Sequence, residues 1–175
     1  MSRPYRRNSH KTVQRLFLLV LVVGGASFSG WWLGEQSSTS TQKWRVTAVI
    51  DGDTIEVVRR SQHDIVRLLG VDTPETHHPT KPVGCFGPEA SAFSTHYLLG
   101  QSVDLEDDVE HRDIYGRRLA YVFLGGRLFN DVLLRHGLAR LLVIAPNRAH
   151  GRDFLDSELL ARHQKRGLWA KCGDE

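Results

Sequence analysis

Between residues 44 and 124, apolar and β-branched residues alternate with polar ones in short runs, and glycine, aspartate or proline separates the runs. A period of two along a short run predicts a β-strand. The first two runs lie on either side of Asp51-Gly52, a dipeptide typical of the type I′ turn of a β-hairpin. The predicted strands are 44–50, 54–60, 64–71, 102–108 and 117–124.

Three other segments carry apolar residues at helical spacing and end at or near a glycine. Pro88 suits the first position of one helix, Asn130 is placed to cap another, and Gly167 is expected to end the last. The predicted helices are 87–100, 130–137 and 151–169. Ala90, Phe93 and Tyr97 of the first helix follow helical spacing and are expected to face the core. In the last helix, the positions i, i+1, i+5 and i+8 are Phe154, Leu155, Leu159 and Arg162.

The order of these elements is three strands, one helix, two strands and then helices. A helix inserted after the third of five antiparallel strands is the layout of an OB-fold barrel. The sequence therefore predicts an α+β domain, a five-stranded OB-fold barrel with about three helices, over residues 44–171.

The first 33 residues have a different composition. Residues 1–15 hold five Arg or Lys and no acidic residue, and residues 16–33 hold no charge. A basic flank before an apolar run is a membrane-targeting segment, either a transmembrane anchor or a cleaved signal segment. Both alternatives export the domain, which would stay attached to the cell membrane or be secreted or periplasmic after cleavage. Residues 34–43 are polar and predict a flexible linker.

The sequence pI of about 9.1 would suit a nucleic-acid binder, but the basic residues are concentrated in the leader. From Gln36 onward the chain has 18 Lys and Arg against 19 Asp and Glu, a net charge of −1. Overall charge therefore gives no argument for nucleic-acid binding, and any such argument must come from the placement of individual residues.

Two carboxylates are candidates for a metal site. Asp53 opens the second predicted strand, where aspartate is disfavoured, and Asp72 ends the third, where it would also suit a turn before Pro74. If these strands are neighbours, both side chains reach one point at the mouth of the barrel. Two close carboxylates repel each other unless a cation relieves them, and oxygen ligands favour Ca²⁺ or Mg²⁺. Backbone carbonyl ligation would favour Ca²⁺.

Two arginines are candidates for phosphate binding. Arg67 lies in an otherwise apolar strand, and Arg117 follows a Tyr-Gly turn at the start of the fifth strand. Each has an ordinary alternative, a salt bridge for Arg67 and a solvated turn position for Arg117. Two guanidinium groups and a bound cation in one cleft would instead suit an anionic phosphoryl transition state.

Cys85 and Cys172 allow one intramolecular disulfide in an exported domain, or they are two unrelated thiols.

The motifs VIDGDTIEV, VRLLGVDTPET, GPEASAF, DIYGRRLAYVF and HGLAR together resemble the thermonuclease (staphylococcal nuclease) family over about residues 44–169. The resemblance implies an OB-fold barrel and a Ca²⁺-dependent phosphodiesterase. Its substrates would be DNA, single-stranded or denatured, and RNA, and its products would end in a 5′-hydroxyl and a 3′-phosphate.

The resemblance also implies a role for each matched residue. Asp53 and Asp72 would be the calcium carboxylates, and Thr73 would add its backbone carbonyl. Glu75 would orient or activate the attacking water, and Arg67 and Arg117 would bind the phosphate. Lys81 and Tyr115 would contact the substrate, and a Cys85–Cys172 disulfide would tie the active-site loop to the C-terminus.

The segment LLVIAPN, 141–147, departs from the family, since it lacks the tyrosines that flank the bound base and so weakens the expectation of base stacking. Two other functions remain open. The barrel could be a non-catalytic OB-fold module that binds nucleic acid or protein, or a structural envelope domain whose acids bind a stabilising ion. A degenerate module should have lost one or more of the six catalytic and metal residues that the resemblance implies, and all six are present. A structural domain would leave Arg67 and Arg117 without a shared purpose.

Overall fold

The computed structural model describes residues 43–76 and 82–172. The predicted leader, residues 34–42 of the linker and Lys81 lie outside the described residues. Within the two described ranges the longest helix has 13 residues, and none has the length and apolarity needed to cross a bilayer.

Five strands close into a barrel. The barrel strands are β1 Trp44–Asp51, β2 Thr54–Arg59, β3 Gln62–Leu68, β5 Ser102–Glu106 and β6 Arg118–Leu124. They follow the order β3-β2-β1-β5-β6, and β6 returns to pair in parallel with β3 through Val66↔Arg118 and Leu68↔Ala120. Each of these five strands therefore pairs with two others of the barrel, and alternate side chains fill the interior. The structure thus confirms the predicted α+β fold with an OB-type barrel.

Three short strands and four helices complete the described domain. β4 (Gly70–Asp72) pairs antiparallel with β8 (Arg140–Leu142), and β7 (Arg127–Leu128) extends β6 as a hairpin. The helices are α1 Gly87–Leu98, α2 Phe129–Arg135, α3 Gly151–His163 and α4 Leu168–Lys171. As predicted, Pro88 occupies the start of α1.

The third predicted strand is divided in two at Leu69, since β3 ends at Leu68 and β4 begins at Gly70. The backbone turns at Gly70, which has φ +76°, a left-handed conformation that favours glycine. A Cβ atom at this position would lie 2.5 Å from the ring of Phe154 in α3. The division leaves β3 in the barrel and redirects β4 toward β8.

The turn between β1 and β2 is not the predicted type I′ turn. Asp51 remains in β1 opposite Thr54, so that Gly52 and Asp53 form the turn, and none of these residues has the positive φ that a type I′ turn requires. Tertiary contacts decide the difference. The Gly52 carbonyl accepts a hydrogen bond from Ser94 Oγ at 2.5 Å, and the Gly52 Cα faces the Thr73 side chain.

Asn130 does not cap α2, contrary to the prediction, because the helix begins at Phe129 with Leu128 as its N-cap. The Asn130 side chain is fully buried instead. It donates to the Leu69 carbonyl at 2.8 Å and accepts from the Val122 amide at 2.9 Å. Asn130 thus satisfies two backbone groups, one of them at the division between β3 and β4.

The predicted core face of the first helix is partly wrong, since Ala90 is buried and Phe93 packs against the core, but Tyr97 is exposed. In α3, Phe154 is buried, whereas Leu155 and Leu159 are exposed. The buried positions of α3 include two polar residues, Ser157 and Glu158, that have hydrogen-bond partners in the fold. The last helix also ends at His163 rather than at Gly167, and α4 begins after a short break.

We expect Gly70→Ala to lower the free energy of unfolding more than Gly126→Ala. Both glycines have φ near +80°, but a Cβ atom at Gly126 would meet nothing within 4 Å. Each variant should lose about 1–2 kcal/mol from the left-handed backbone. Gly70→Ala should lose about 1–3 kcal/mol more, because the Phe154 ring must move. Urea unfolding measures both, and equal losses would contradict the close packing at Gly70.

Candidate active site

Arg67 joins two acidic residues that are far apart in the sequence. Its Nη2 atom lies 3.2 Å from Asp53 Oδ2 and 2.9 Å from Asp72 Oδ1. Asp53 lies in the turn between β1 and β2, whereas Asp72 ends β4. Pairing between Thr54 and Arg67 brings the start of β2 beside the end of β3. The two predicted metal carboxylates therefore meet at one rim of the barrel.

The second guanidinium nitrogen of Arg67 holds the backbone. Nη1 donates to the Leu68 carbonyl at 2.8 Å and to the Val71 carbonyl at 2.7 Å. These carbonyls lie on either side of the turn at Gly70. Since Arg67 is also mostly buried, its position is determined by both the local chain and the acidic pair.

Asp53 also connects the hairpin turn to the segment after β4. Its Oδ2 atom accepts hydrogen bonds from the Thr73 amide at 2.7 Å and from Thr73 Oγ1 at 3.1 Å, and both residues are buried. Its Oδ1 atom accepts from Thr54 Oγ1 at 3.0 Å. The side chain of Asp53 is therefore held by three hydrogen bonds from two residues, Thr54 and Thr73, which lie in two different segments.

Glu75 lies beside another carboxyl group, that of Asp51, with which it shares a hydrogen bond. Thr76 contacts both acids, because its amide donates to Glu75 Oε1 and its hydroxyl donates to Asp51 Oδ1, each at 3.0 Å. The Gly84 amide donates to the Glu75 carbonyl at 2.7 Å, and a Cβ atom at Gly84 would lie 2.8 Å from Pro74. The segment before α1 thus packs directly on the backbone that carries Glu75.

Two carboxyl groups at the rim, those of Asp72 and Asp51, have a raised pKa. The pKa of Asp72 is raised above 3.8 mainly by burial, which outweighs the opposing effect of Arg67, and the charges of Asp53 and Glu75 add to the rise. The pKa of Asp51 is raised by burial and by Glu75. A raised folded-state pKa means that each of these carboxyls destabilises the fold once the pH rises above 3.8, and that the loss disappears at lower pH.

Arg117 lies in the loop between β5 and β6, and together with Arg67 it lines a cleft. Its Nε atom donates to Asp113 Oδ2 at 2.7 Å, and its guanidinium carbon lies 5.4 Å from the ring centre of Tyr115. Tyr115 is highly exposed at the tip of the loop. A cleft of about 320 Å³ is lined by Arg67, Arg117 and Tyr115 together. The structure thus brings the two predicted phosphate-binding arginines to one surface.

Part of the lining of this cleft is aliphatic. Leu142 and Ile144, which are both exposed, line the cleft and lie in the segment where the family's tyrosines are absent. Asn147 joins this segment to the β5–β6 loop, since its Oδ1 accepts from the Glu110 amide at 2.7 Å and its Nδ2 donates to the Glu110 carbonyl at 2.8 Å. The cleft lining therefore combines one aromatic side chain, Tyr115, with aliphatic side chains.

A disulfide joins Cys85, two residues before the start of α1, to Cys172, which follows α4. A small cavity of about 160 Å³ is lined by both cysteines and by Asp72, Thr73 and Pro74. The disulfide therefore lies beside Asp72 and Thr73. It connects the segment after helix α4 to the segment that packs on the backbone of Glu75.

The donor set at the rim fits a hard cation. No three His, Cys, Asp or Glu side chains in residues 43–76 and 82–172 are close enough to form a metal centre by themselves. However, two carboxylates lie at the rim, and Asp72 and Thr73 line a cavity of about 160 Å³, so the chemistry available there is that of oxygen ligands. The nitrogen Arg67 Nη2 already contacts Asp53 and Asp72 together, which demonstrates that one cationic group can bridge both.

A barrel rim that gathers acidic side chains and two arginines around one open cleft is suited to an enzyme that acts on phosphate esters. A family model described as "Staphylococcal nuclease homologue" matches residues 65–171, more than half of the chain. The chain therefore belongs to the staphylococcal nuclease family and is a nuclease, a hydrolase of phosphodiester bonds.

Individual relatives agree with this assignment. The thermonuclease of Staphylococcus hyicus is 41% identical over 134 residues, which are 77% of this chain and 79% of the relative. The thermonuclease of Staphylococcus intermedius is 41% identical over 139 residues, 78% of this chain and 83% of the relative. Endonuclease YncB of Bacillus subtilis (strain 168) is 40% identical over 126 residues, which are 71% of this chain and 60% of the relative.

Sequence reasoning missed several residues that build the site. Asp51 was interpreted as a turn residue, although the repeated acid in Asp51-Gly52-Asp53 was a usable signal. Asp113 stands four residues before Arg117, a spacing at which an acid and an arginine can pair within a turn. For Asn147 no local signal exists, because its partner Glu110 is 37 positions away in the chain.

We expect loss of the Cys85–Cys172 disulfide to lower the free energy of unfolding. The two cysteines are 87 positions apart, and closing a loop of that length restricts the unfolded chain by about 4–5 kcal/mol. Urea unfolding with and without a thiol reductant measures the effect. The variant with both cysteines changed to Ser is the control and should not respond to reductant. A wild-type protein equally stable in both conditions would contradict the disulfide.

Proposed function

We propose that this chain is a calcium-dependent nuclease that cleaves single-stranded or denatured DNA and RNA. The observation that carries the proposal is the contact of Arg67 with both Asp53 and Asp72, in a cleft that Arg117 also lines. Asp53, Asp72 and the backbone carbonyl of Thr73 would hold the ion. Bound there, Ca²⁺ would supply positive charge to the developing phosphorane and lower the pKa of water.

The protein's own residues carry the steps of hydrolysis. Arg67 and Arg117 bind the non-bridging phosphate oxygens, on which negative charge grows as a water oxygen attacks phosphorus. Glu75 accepts a proton from that water. The bond from phosphorus to the 5′ oxygen breaks on the opposite side, and the leaving oxygen takes up a proton. The products then carry a 3′-phosphate and a 5′-hydroxyl.

The walls of the cleft support a single-stranded substrate. Tyr115, Leu142 and Ile144 all line the cleft and would contact flat apolar surfaces, and bases present such surfaces only when they are unstacked. Lys81 is assigned to the substrate by its position in the sequence, since it lies outside the described residues.

We further propose that the enzyme works outside the cytoplasm, attached to the membrane by residues 16–33 or released by cleavage. The basic and then uncharged leader supports this placement, and so does a disulfide, which persists in oxidising compartments. Membrane fractionation with N-terminal sequencing of the mature protein decides between attachment and release.

Calcium is expected to stabilise the protein, because it offsets the mutual repulsion of the rim carboxylates. At a Ca²⁺ concentration about 100 times the dissociation constant, the gain is about 2.7 kcal/mol. Calorimetry in Ca²⁺ and in chelator measures the shift in Tm. Asp53→Asn and Asp72→Asn should each lose most of the shift, and Asp153→Asn on the exposed side of α3 should keep it. Degradation of denatured DNA that is equally fast in chelator would rule out the metal mechanism.

Glu75→Gln is expected to bind substrate but to cleave it about 10²–10⁴-fold more slowly, because glutamine cannot accept the proton of the attacking water. Glutamine keeps an oxygen for the Thr76 amide, so the loop should remain in place. Single-turnover cleavage of denatured DNA in Ca²⁺ measures the rate, and Glu89→Gln at the exposed start of α1 is the matched control. Wild-type turnover in Glu75→Gln would remove Glu75 from its role. A wild-type protein that binds single strands without cleaving them would favour the non-catalytic OB-fold module.

A further inference from the structure

Asp113 makes an unusually complete set of contacts for a residue in an exposed loop. Its Oδ1 atom accepts the amides of Tyr115 at 3.0 Å and Arg117 at 2.9 Å, and its Oδ2 atom accepts Arg117 Nε at 2.7 Å. Its own amide donates to the Arg117 carbonyl at 3.0 Å, and its carbonyl accepts the Gly116 amide at 3.0 Å. One carboxylate thus shapes the turn and also holds the arginine side chain.

This arrangement restricts Arg117 in a useful way. A free arginine side chain loses rotamer entropy when it is held in one geometry. The ion pair with Asp113 orders the stem in advance and uses only Nε. In the part of the chain that the structure describes, Nη1 and Nη2 of Arg117 have no hydrogen-bond partner, so both remain available to a ligand in the cleft.

The two arginines of the cleft are therefore held by different means. Arg67 is fixed by backbone carbonyls and by the acidic pair, whereas Arg117 depends on Asp113. The pair formed by Asp113 and Arg117 has little net charge. It attracts a distant phosphate weakly, but it directs N–H donors at a fixed point, which favours a role in the transition state over a role in initial binding.

We propose that Asp113 is the positioning residue for Arg117, aiming its guanidinium group at the phosphate oxygens during cleavage. The inference rests on the proposed nuclease function and adds to it a residue that the family resemblance did not assign. Asp113 touches neither substrate nor metal, and it acts only through Arg117.

Asp113→Asn tests the contact with the Arg117 side chain separately from the contacts that form the turn. Asparagine keeps the Oδ1 acceptor for the two amides, which preserves the turn, but it places an NH₂ group opposite Arg117 Nε, so that two donors face each other. Asp113→Ser is a second variant, because serine also accepts from backbone amides in turns and cannot reach Nε.

The matched control is Asp64→Asn. Asp64 pairs with Arg112 of the same loop through two hydrogen bonds of 3.0 Å and 2.9 Å, so this variant removes an equal charge from an equally close ion pair. Arg112 also braces the turn, since its Nη1 donates to the Gly116 carbonyl at 2.6 Å. The control therefore perturbs the same loop without changing the partner of Arg117.

The test is steady-state cleavage of denatured DNA in Ca²⁺, with Tm measured for every variant. We expect Asp113→Asn and Asp113→Ser to lower kcat about 10–100-fold and to change KM less than threefold, and Asp64→Asn to retain wild-type kcat. In an Arg117→Gln background, Asp113→Asn should have no further effect on kcat, because there is no guanidinium group left to aim.

Each contrary result has a distinct meaning. If the wild-type protein cleaves and Asp113→Asn retains wild-type kcat, only the positioning role is overturned. The role is also overturned if Asp113→Asn lowers kcat by the same factor with and without Arg117, or if both Asp113 variants fail to fold. A wild-type protein that does not cleave in Ca²⁺ overturns the proposed function itself, and the inference with it.

Discussion

The contact between one guanidinium group and two carboxylates at the barrel rim is the interaction on which the site depends. Arg67 brings Asp53 and Asp72 together although they belong to different segments of the chain, and it also binds the carbonyls on either side of the division between β3 and β4. Several buried or half-buried acids in one place would otherwise repel one another. The same repulsion favours positively charged groups at the rim.

The barrel supplies the rigid frame that this concentration of charge requires. Parallel pairing of β3 with β6 closes the barrel, and Gly70, packed on Phe154, redirects the chain so that Asp72 faces the rim. The loop that carries Glu75 is fixed from the other side by the segment before α1 and by the disulfide. Precise placement of catalytic groups on rigid elements reduces the reorganisation needed during the reaction.

The cleft combines two arginines with an aliphatic part of its lining, and a disulfide joins the segment before α1 to the residue after α4. Leu142 and Ile144 give part of the cleft an aliphatic lining. The disulfide anchors the four-residue helix α4 to the segment that precedes α1.

The sequence by itself determined the closed barrel and most of its strands, and it singled out Asp53, Arg67 and Asp72, which the structure brings together. Alternation of apolar residues is a local property, and the motifs around Asp53, Arg67, Asp72 and Glu75 are contiguous enough to be recognised without a structure. Outcomes that depend on partners distant in the chain were decided by the tertiary structure alone. Asn130 bridges Leu69 and Val122 instead of capping its helix, and the turn at Gly52 is held by Ser94 rather than by its own dipeptide preference. Asp113 and Asn147 show the same limit, because the value of a polar side chain is set by the buried or clustered groups that it meets after folding, and no local pattern records which groups those are.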